Sequence, residues 1–163
     1  MGKLKALAHE YGFHTVRLKA IKPVFTRMTV REDAPAYLET RRYNSAAQVY
    51  ELFRDLKCES KEHFMALHLD GKNRILCYEL ISLGSLNQSI VHPREVFKSA
   101  LLSSAAALIL IHNYPSGDPQ PSSEDLSITR RLKEAGELLG VRILDHLIVG
   151  DGTYYSFADQ GVL

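Results

Sequence analysis

The chain has only two cysteines, Cys58 and Cys77, in 163 residues. A single possible pair, with nothing around it that suggests a secreted scaffold, excludes a disulfide-framed fold, and two reduced thiols are expected. Long apolar runs are missing as well. The longest, Ala105 to Ile111, is far short of the roughly 20 residues a membrane helix needs. Met1-Gly2-Lys3-Leu4-Lys5 leads into no apolar signal core, so a soluble, cytoplasmic protein without a membrane partner is expected. Charge of one sign is also lacking: the net charge is +1, which argues against a dedicated nucleic-acid binder. There is no internal repeat, no low-complexity tract and no glycine-rich phosphate loop.

What is present suits one globular domain with a short appended segment. Apolar residues make up 45% of the chain, enough to bury a core without staples. Residues 1–43 read as an N-terminal extended segment and basic leader. Between Lys3 and Arg31, the basic residues Lys3, Lys5, Arg17, Lys19, Lys22, Arg27 and Arg31 face Glu10 alone. A solvated leader explains this charge better than an arm for an anionic partner, because few aromatics are interleaved. Residues 1–12 read as a loose tail. Thr15 to Thr29, broken by Pro23, reads as one or two extended segments, as a strand pair or an edge.

Residues 44–163 read as the main domain. Asn44-Ser45 starts a helix whose apolar stripe is Ala46, Val49, Tyr50, Leu52, Phe53 and Leu56, ending near Lys57-Cys58. Phe64 to Leu69 and Arg74 to Leu83 read as a hairpin around Asp70-Gly71-Lys72-Asn73. Gly84 interrupts, and Leu86 to Val91 reads as a third strand. Pro93 fits the first position of a helix buried through Val96, Phe97, Ala100 and Leu101. Ala106 to His112 is a central strand buried on both faces. Ser122 opens a helix with Ile128, Leu132, Ala135 and Leu139 on one face, stopped by Gly140. Val141 to Val149 and Thr153 to Phe157 read as the last strands. These elements predict an α/β sandwich around one mixed sheet.

The chemistry gathers in His112-Asn113-Tyr114-Pro115-Ser116-Gly117-Asp118-Pro119-Gln120-Pro121-Ser122-Ser123-Glu124-Asp125. The strand fixes His112, the helix fixes Asp125, and three prolines limit their drift. An imidazole and a carboxylate are both sound zinc ligands, and a tight site needs a third.

This stretch resembles the JAMM signature, His-x-His, seven residues, Ser-x-x-Asp. It is more similar still to the RadC family, whose version runs His-Asn-His-Pro-Ser-Gly-Asp-Pro. Val91-His92-Pro93-Arg94-Glu95-Val96-Phe97, Arg130-Arg131-Leu132 and Asp145-His146-Leu147-Ile148-Val149-Gly150 resemble the same family, so the likeness covers roughly residues 45–163. No helix-hairpin-helix sequence of the kind often placed ahead of the domain is seen. The resemblance implies an MPN/JAMM fold, a cytidine-deaminase-like three-layer sandwich with a mixed β-sheet. It implies zinc as cofactor and hydrolysis of an amide or isopeptide bond in a peptide or protein substrate. It assigns His112 and Asp125 as metal ligands, Ser122 as the oxyanion group and Glu62 as general base. Tyr114 stands where the family has its second histidine. A phenol ligates well only as phenolate, and its ordinary pKa is near 10. This predicts weak zinc occupancy or none, and poor hydrolysis, with a second outcome in which the phenol hydroxyl hydrogen-bonds His112 or Asp125 instead.

Other readings compete for the same residues. Ser122 and Asp125 also form a plain capping box. Glu62 also fits a surface residue at a strand start. His63 and His68 are poor replacement ligands: His63 points away from Glu62, and His68 lies further along the strand. His92 fits a structural role before Pro93. Asp145 and His146 face opposite sides of a strand and cannot act as a pair on one face. Two alternatives to the hydrolase remain, a metal-free MPN-fold module binding a protein and a DNA-repair-associated accessory protein, the latter marked by salt-dependent DNA affinity. An exposed sheet edge would permit self-pairing of chains.

Overall fold

The computed structural model describes residues 17–33, 42–84 and 91–163. Its centre is a five-stranded mixed sheet in the order β2-β1-β3-β4-β5. The strands are β1 (His63–Leu69), β2 (Ile75–Leu83), β3 (Ala107–Asn113), β4 (Arg142–Val149) and β5 (Tyr154–Ser156). Neighbours pair antiparallel except β3 and β4, which are parallel. A parallel pair needs a long crossover. Helix α3 (Ser123–Leu139) supplies it, after α1 (Ala46–Phe53) and α2 (Pro93–Leu102).

Side-chain alternation along the strands builds the three layers. Phe64, Ala66, Leu108, Leu110 and Ile143 face α2 and α3, where they meet Val96, Phe97, Ala100 and Leu132. Met65, Leu67, Leu69, Ala107, Ile109, Ile111, Leu147 and Val149 face α1, where they meet Ala46, Val49 and Phe53. All seven residues of β3 are buried. That explains its uninterrupted apolar run: a strand covered on both faces has no solvent side to alternate with.

The helix ends follow their local chemistry. The Ser45 hydroxyl accepts from the Gln48 N–H to cap α1, and a 3-10 turn carries the chain on to Cys58. The His92 ring accepts from the Arg94 N–H ahead of Pro93. Gly140 ends α3 in the left-handed region at φ 70°. Such a conformation favours glycine.

Several sequence expectations shift. Residues 17–33 form no strand, and Leu18, Ile21, Val24, Phe25 and Met28 are exposed. Pro23 removes a ladder donor, and no neighbouring strand pairs with this stretch among the described residues. The segment is tied at its end by Arg31, which donates to the Glu51 carbonyl at 2.6 Å and to its carboxylate at 3.0 Å. The expected strand from Leu86 falls on residues 85–90, which lie outside the described residues, as does the expected tail; Val91 itself is buried but not in a strand. Arg74 stands just ahead of β2, in an isolated bridge to Arg42. The last strand is shorter than expected. Leu139 is 45% exposed and leaves the core stripe, while Gly136 enters it. Leu101 is likewise exposed on α2. Strand β2 is a sheet edge carrying exposed Leu76, Leu80 and Leu83.

Gly136 gives a sharp test of the α2–α3 packing. A Cβ there would sit 2.3 Å from the Val141 carbonyl oxygen and 3.2 Å from Phe97 Cζ. Helix propensity alone predicts that Gly136→Ala stabilises by about 1 kcal/mol. The close approach predicts the opposite sign, a loss of about 1–3 kcal/mol from overpacking. Urea denaturation of both proteins decides between the two signs.

Candidate metal centre

The parallel pair and its crossover create the site. β3 delivers His112 at its carboxyl end, and α3 begins directly over that end with Asp125 in its first turn. Crevices beyond the carboxyl ends of parallel strands are common ligand sites. The intervening loop is pinned at Gly117, whose N–H donates to the Tyr114 carbonyl at 2.9 Å and whose carbonyl accepts from the Asp151 N–H at 2.9 Å. At φ 81° with Asp151 Cβ close by, this position has little room for a side chain.

Asp125 is fully buried, and its two oxygens differ. Oδ2 accepts from the Ser122 N–H at 2.7 Å, from the Ser122 hydroxyl at 2.8 Å and from the Tyr114 hydroxyl. The Asp125 N–H donates back to Ser122 Oγ at 3.2 Å, completing a capping box. Oδ1 receives no hydrogen bond and lies 3.4 Å from His112 Nε2, which has no partner either. On its other side, His112 Nδ1 is 2.8 Å from His146 Nε2. The His146 ring continues through Nδ1 to Thr129 Oγ1 at 2.6 Å, and that hydroxyl donates to the Asp125 carbonyl at 2.6 Å. Phe64 stacks on His112 with ring centroids 6.1 Å apart, and Phe157 stacks on His146 at 4.8 Å.

The electrostatics follow from burial. Desolvation lowers His112 to about 4 against the opposing pull of Asp125, and lowers His146 well below its usual range, with His112 adding to the effect. Tyr114 rises to about 12, first through burial and then through its bond to Asp125, so the phenol keeps its proton. A protonated phenol on Oδ2 is a hydrogen-bond donor and not an anionic ligand. Of the two residues named as its possible partners, the hydroxyl bonds Asp125 and not His112.

The other sequence-predicted residues fall around this centre. Glu62 directly precedes β1 and is half-buried; its carbonyl accepts from the Gly84 N–H at 2.9 Å. Asn113 clamps its two neighbours, accepting from the His63 N–H at 2.8 Å and donating to the Lys61 carbonyl at 3.2 Å. Phe64 is in register with His112, and Glu62 lies two residues before Phe64, so Glu62 stands at the His112 end of the sheet. His63 turns to the Lys61 carbonyl. His68 is held at the far end of β1 by Ser103 at 2.8 Å. His92 is a helix cap. Asp145 and His146 part as expected: the Asp145 carboxylate binds the His146 and Ala158 N–H groups and the Ser156 hydroxyl.

Thr129 and His146 are the residues that sequence reading left out of the site. Thr129 follows Asp125 by one helical turn, and that spacing was a usable signal. His146 depends on the β3–β4 register, which sets it beside Leu110, and no local pattern reveals that.

Tetrahedral zinc with bonds of about 2.0–2.2 Å places two ligand atoms about 3.4 Å apart. The bare His112 and Asp125 atoms match that spacing. The third protein position fails, because Tyr114 is turned to the opposite oxygen of Asp125. Among the described residues no group of three or more His, Cys, Asp or Glu could hold a metal ion. The residues therefore fit zinc at two positions and not at three.

A mixed sheet between helical layers, with a strand-end histidine facing an aspartate in the next helix, defines a JAB/MPN-type domain. The chain belongs to the RadC family: the sequence model of the RadC-like JAB domain matches residues 43–162. It is 49% identical over 170 aligned residues to a UPF0758 protein of Geotalea uraniireducens, covering 99% of this chain and 75% of the relative. A UPF0758 protein of Trichlorobacter lovleyi is 51% identical, covering 99% of this chain and 70% of the relative. One from Methanosarcina acetivorans is 56% identical over 122 residues, which is 74% of this chain and 53% of that protein. Among the described residues, no helix is long and apolar enough to cross a membrane.

The buried histidines make the fold acid-sensitive. Burial lowers His68 and His112 to about 4 and holds His146 well below the ordinary 6.5. The unfolded chain then binds more protons than the folded one between pH 6.5 and about 4, so stability declines as pH falls through that window. Denaturant titrations should show an uptake of roughly two to three protons on unfolding near pH 5. Equal stability at pH 7 and pH 5 would contradict the burial assigned to these rings.

Proposed function

We propose that the chain is a JAB-type metallohydrolase domain for amide or isopeptide bonds, with its activity held low by Tyr114. The observation that carries this reading is the pair of bare, buried atoms, His112 Nε2 and Asp125 Oδ1, aimed at each other. Leaving such groups unpaired costs about 1–3 kcal/mol each, so a domain retains them where a ligand repays the cost. His112 and Asp125 would hold the ion. Zinc there would supply a water acidic enough to ionise near neutral pH. Glu62 is assigned as the carboxylate that takes a proton, from its place at the same end of the sheet. Ser122 is assigned to the developing oxyanion, and its hydroxyl would have to leave Asp125 Oδ2 to serve. Tyr114 opposes all of this, since it fills the position of a ligand without supplying a lone pair to the open side.

One observation favours a second reading. The Tyr114 hydroxyl donates to Asp125 Oδ2 without any ion, an arrangement that a metal-free protein-binding module could keep. The exposed apolar side chains of residues 18–28 would then be part of the binding surface.

Elemental analysis after zinc reconstitution, beside Tyr114→His, separates the two. The hydrolase reading predicts well under one zinc per chain in the unaltered protein and near one in the variant, with peptidase activity appearing alongside. Tight, stoichiometric zinc in the unaltered protein would overturn the inhibitory role of Tyr114. Failure of both proteins to hold zinc would favour the metal-free module.

A further inference from the structure

The proton on each ring of the His112–His146–Thr129 chain can be counted. The Asp125 carbonyl can only accept, so the single Thr129 hydroxyl proton goes to it across 2.6 Å. Thr129 Oγ1 is then an acceptor toward His146, and His146 Nδ1 must carry a hydrogen. Buried against two aromatic rings with no carboxylate on it, the His146 ring is neutral, which leaves Nε2 bare. His146 Nε2 therefore accepts from His112 Nδ1–H across 2.8 Å. The opposite assignment would set the Thr129 and Asp125 oxygens lone pair against lone pair at 2.6 Å.

We propose that His146, oriented by Thr129, is a positioning residue that fixes His112 as the Nδ1–H tautomer and keeps its Nε2 lone pair open toward Asp125. The alternative tautomer would put a hydrogen on Nε2, pointing at Asp125 Oδ1 only 3.4 Å away. A His–Asp hydrogen bond would then close the site to any cation. The relay prevents that closure from behind, through groups that never meet the ligand. Ligating histidines commonly hand their second N–H to an oxygen acceptor. Here the acceptor is a second imidazole, and its own tautomer is set by a threonine in the helix that bears Asp125. One helix thus supplies a candidate ligand and also orients the other. The importance of this for function rests on the metal role proposed above; the tautomer itself does not.

Long-range proton–nitrogen NMR of the metal-free, histidine-labelled protein reads the tautomer directly. The expected result is a protonated Nδ1 and a bare Nε2 on His112. Thr129→Ser keeps the acceptor oxygen and should leave this pattern intact. Thr129→Val removes it and should move the His112 proton to Nε2. In a Tyr114→His background, Thr129→Val should also weaken zinc binding by about 10–100-fold relative to Thr129→Ser. A purely structural role for Thr129 would lower stability without moving the proton. A protonated Nε2 in the unaltered protein, or an unchanged tautomer in Thr129→Val, would overturn the proposal. If Thr129→Val fails to fold, the tautomer of the unaltered protein still decides. The expected tautomer together with no zinc in any variant would leave this proposal standing and sink the hydrolase reading.

Discussion

Asp125 Oδ2 collects three hydrogen bonds while Oδ1 collects none, and the site depends on that asymmetry. Two of the donors come from Ser122, which also caps α3, so the start of the helix and the orientation of the carboxylate are set by one residue. The third donor is Tyr114. With Oδ2 saturated, Oδ1 is turned toward His112 Nε2, and both atoms are cut off from water. The capping bonds between Ser122 and Asp125 therefore occupy Oδ2 and leave Oδ1 as the oxygen that faces His112.

The rest of the fold holds this arrangement in place. β3 is buried on both faces and leaves His112 little freedom. The α3 crossover brings Asp125 over the strand end, and packing at Gly136 against Phe97 and Val141 sets how closely that helix lies. Behind the site, the ring of His146 on β4 bonds His112 of β3 through Nε2 and Thr129 of α3 through Nδ1. Strand, crossover and neighbouring strand thus meet at one imidazole.

Much of this was legible in the sequence, for identifiable reasons. The doubly covered strand showed as an unbroken apolar run. Ser122, Pro93 and Gly140 marked helix ends because their local chemistry is specific to those positions. The loop carried a family pattern, and the departure at Tyr114 was visible in it. The direction of the Tyr114 hydroxyl was not, because it follows from the three-dimensional position of Asp125. Nor was His146, whose place depends on a register between strands joined by a whole helix. The N-terminal stretch misled for the opposite reason. Its β-branched residues suggest strands, but strand propensity needs a partner edge, and the described residues give it none.

The central claim is that Tyr114 is a protonated donor to Asp125 and not a metal ligand. Ultraviolet difference spectra recorded during zinc addition at neutral pH test it, with Tyr114→Phe as the reference. Ligation through the phenol would release its proton and produce phenolate absorbance that the reference lacks. The account predicts no such signal at any zinc concentration, and a tyrosine that ionises only near pH 12. A zinc-dependent phenolate band that vanishes in Tyr114→Phe would contradict it.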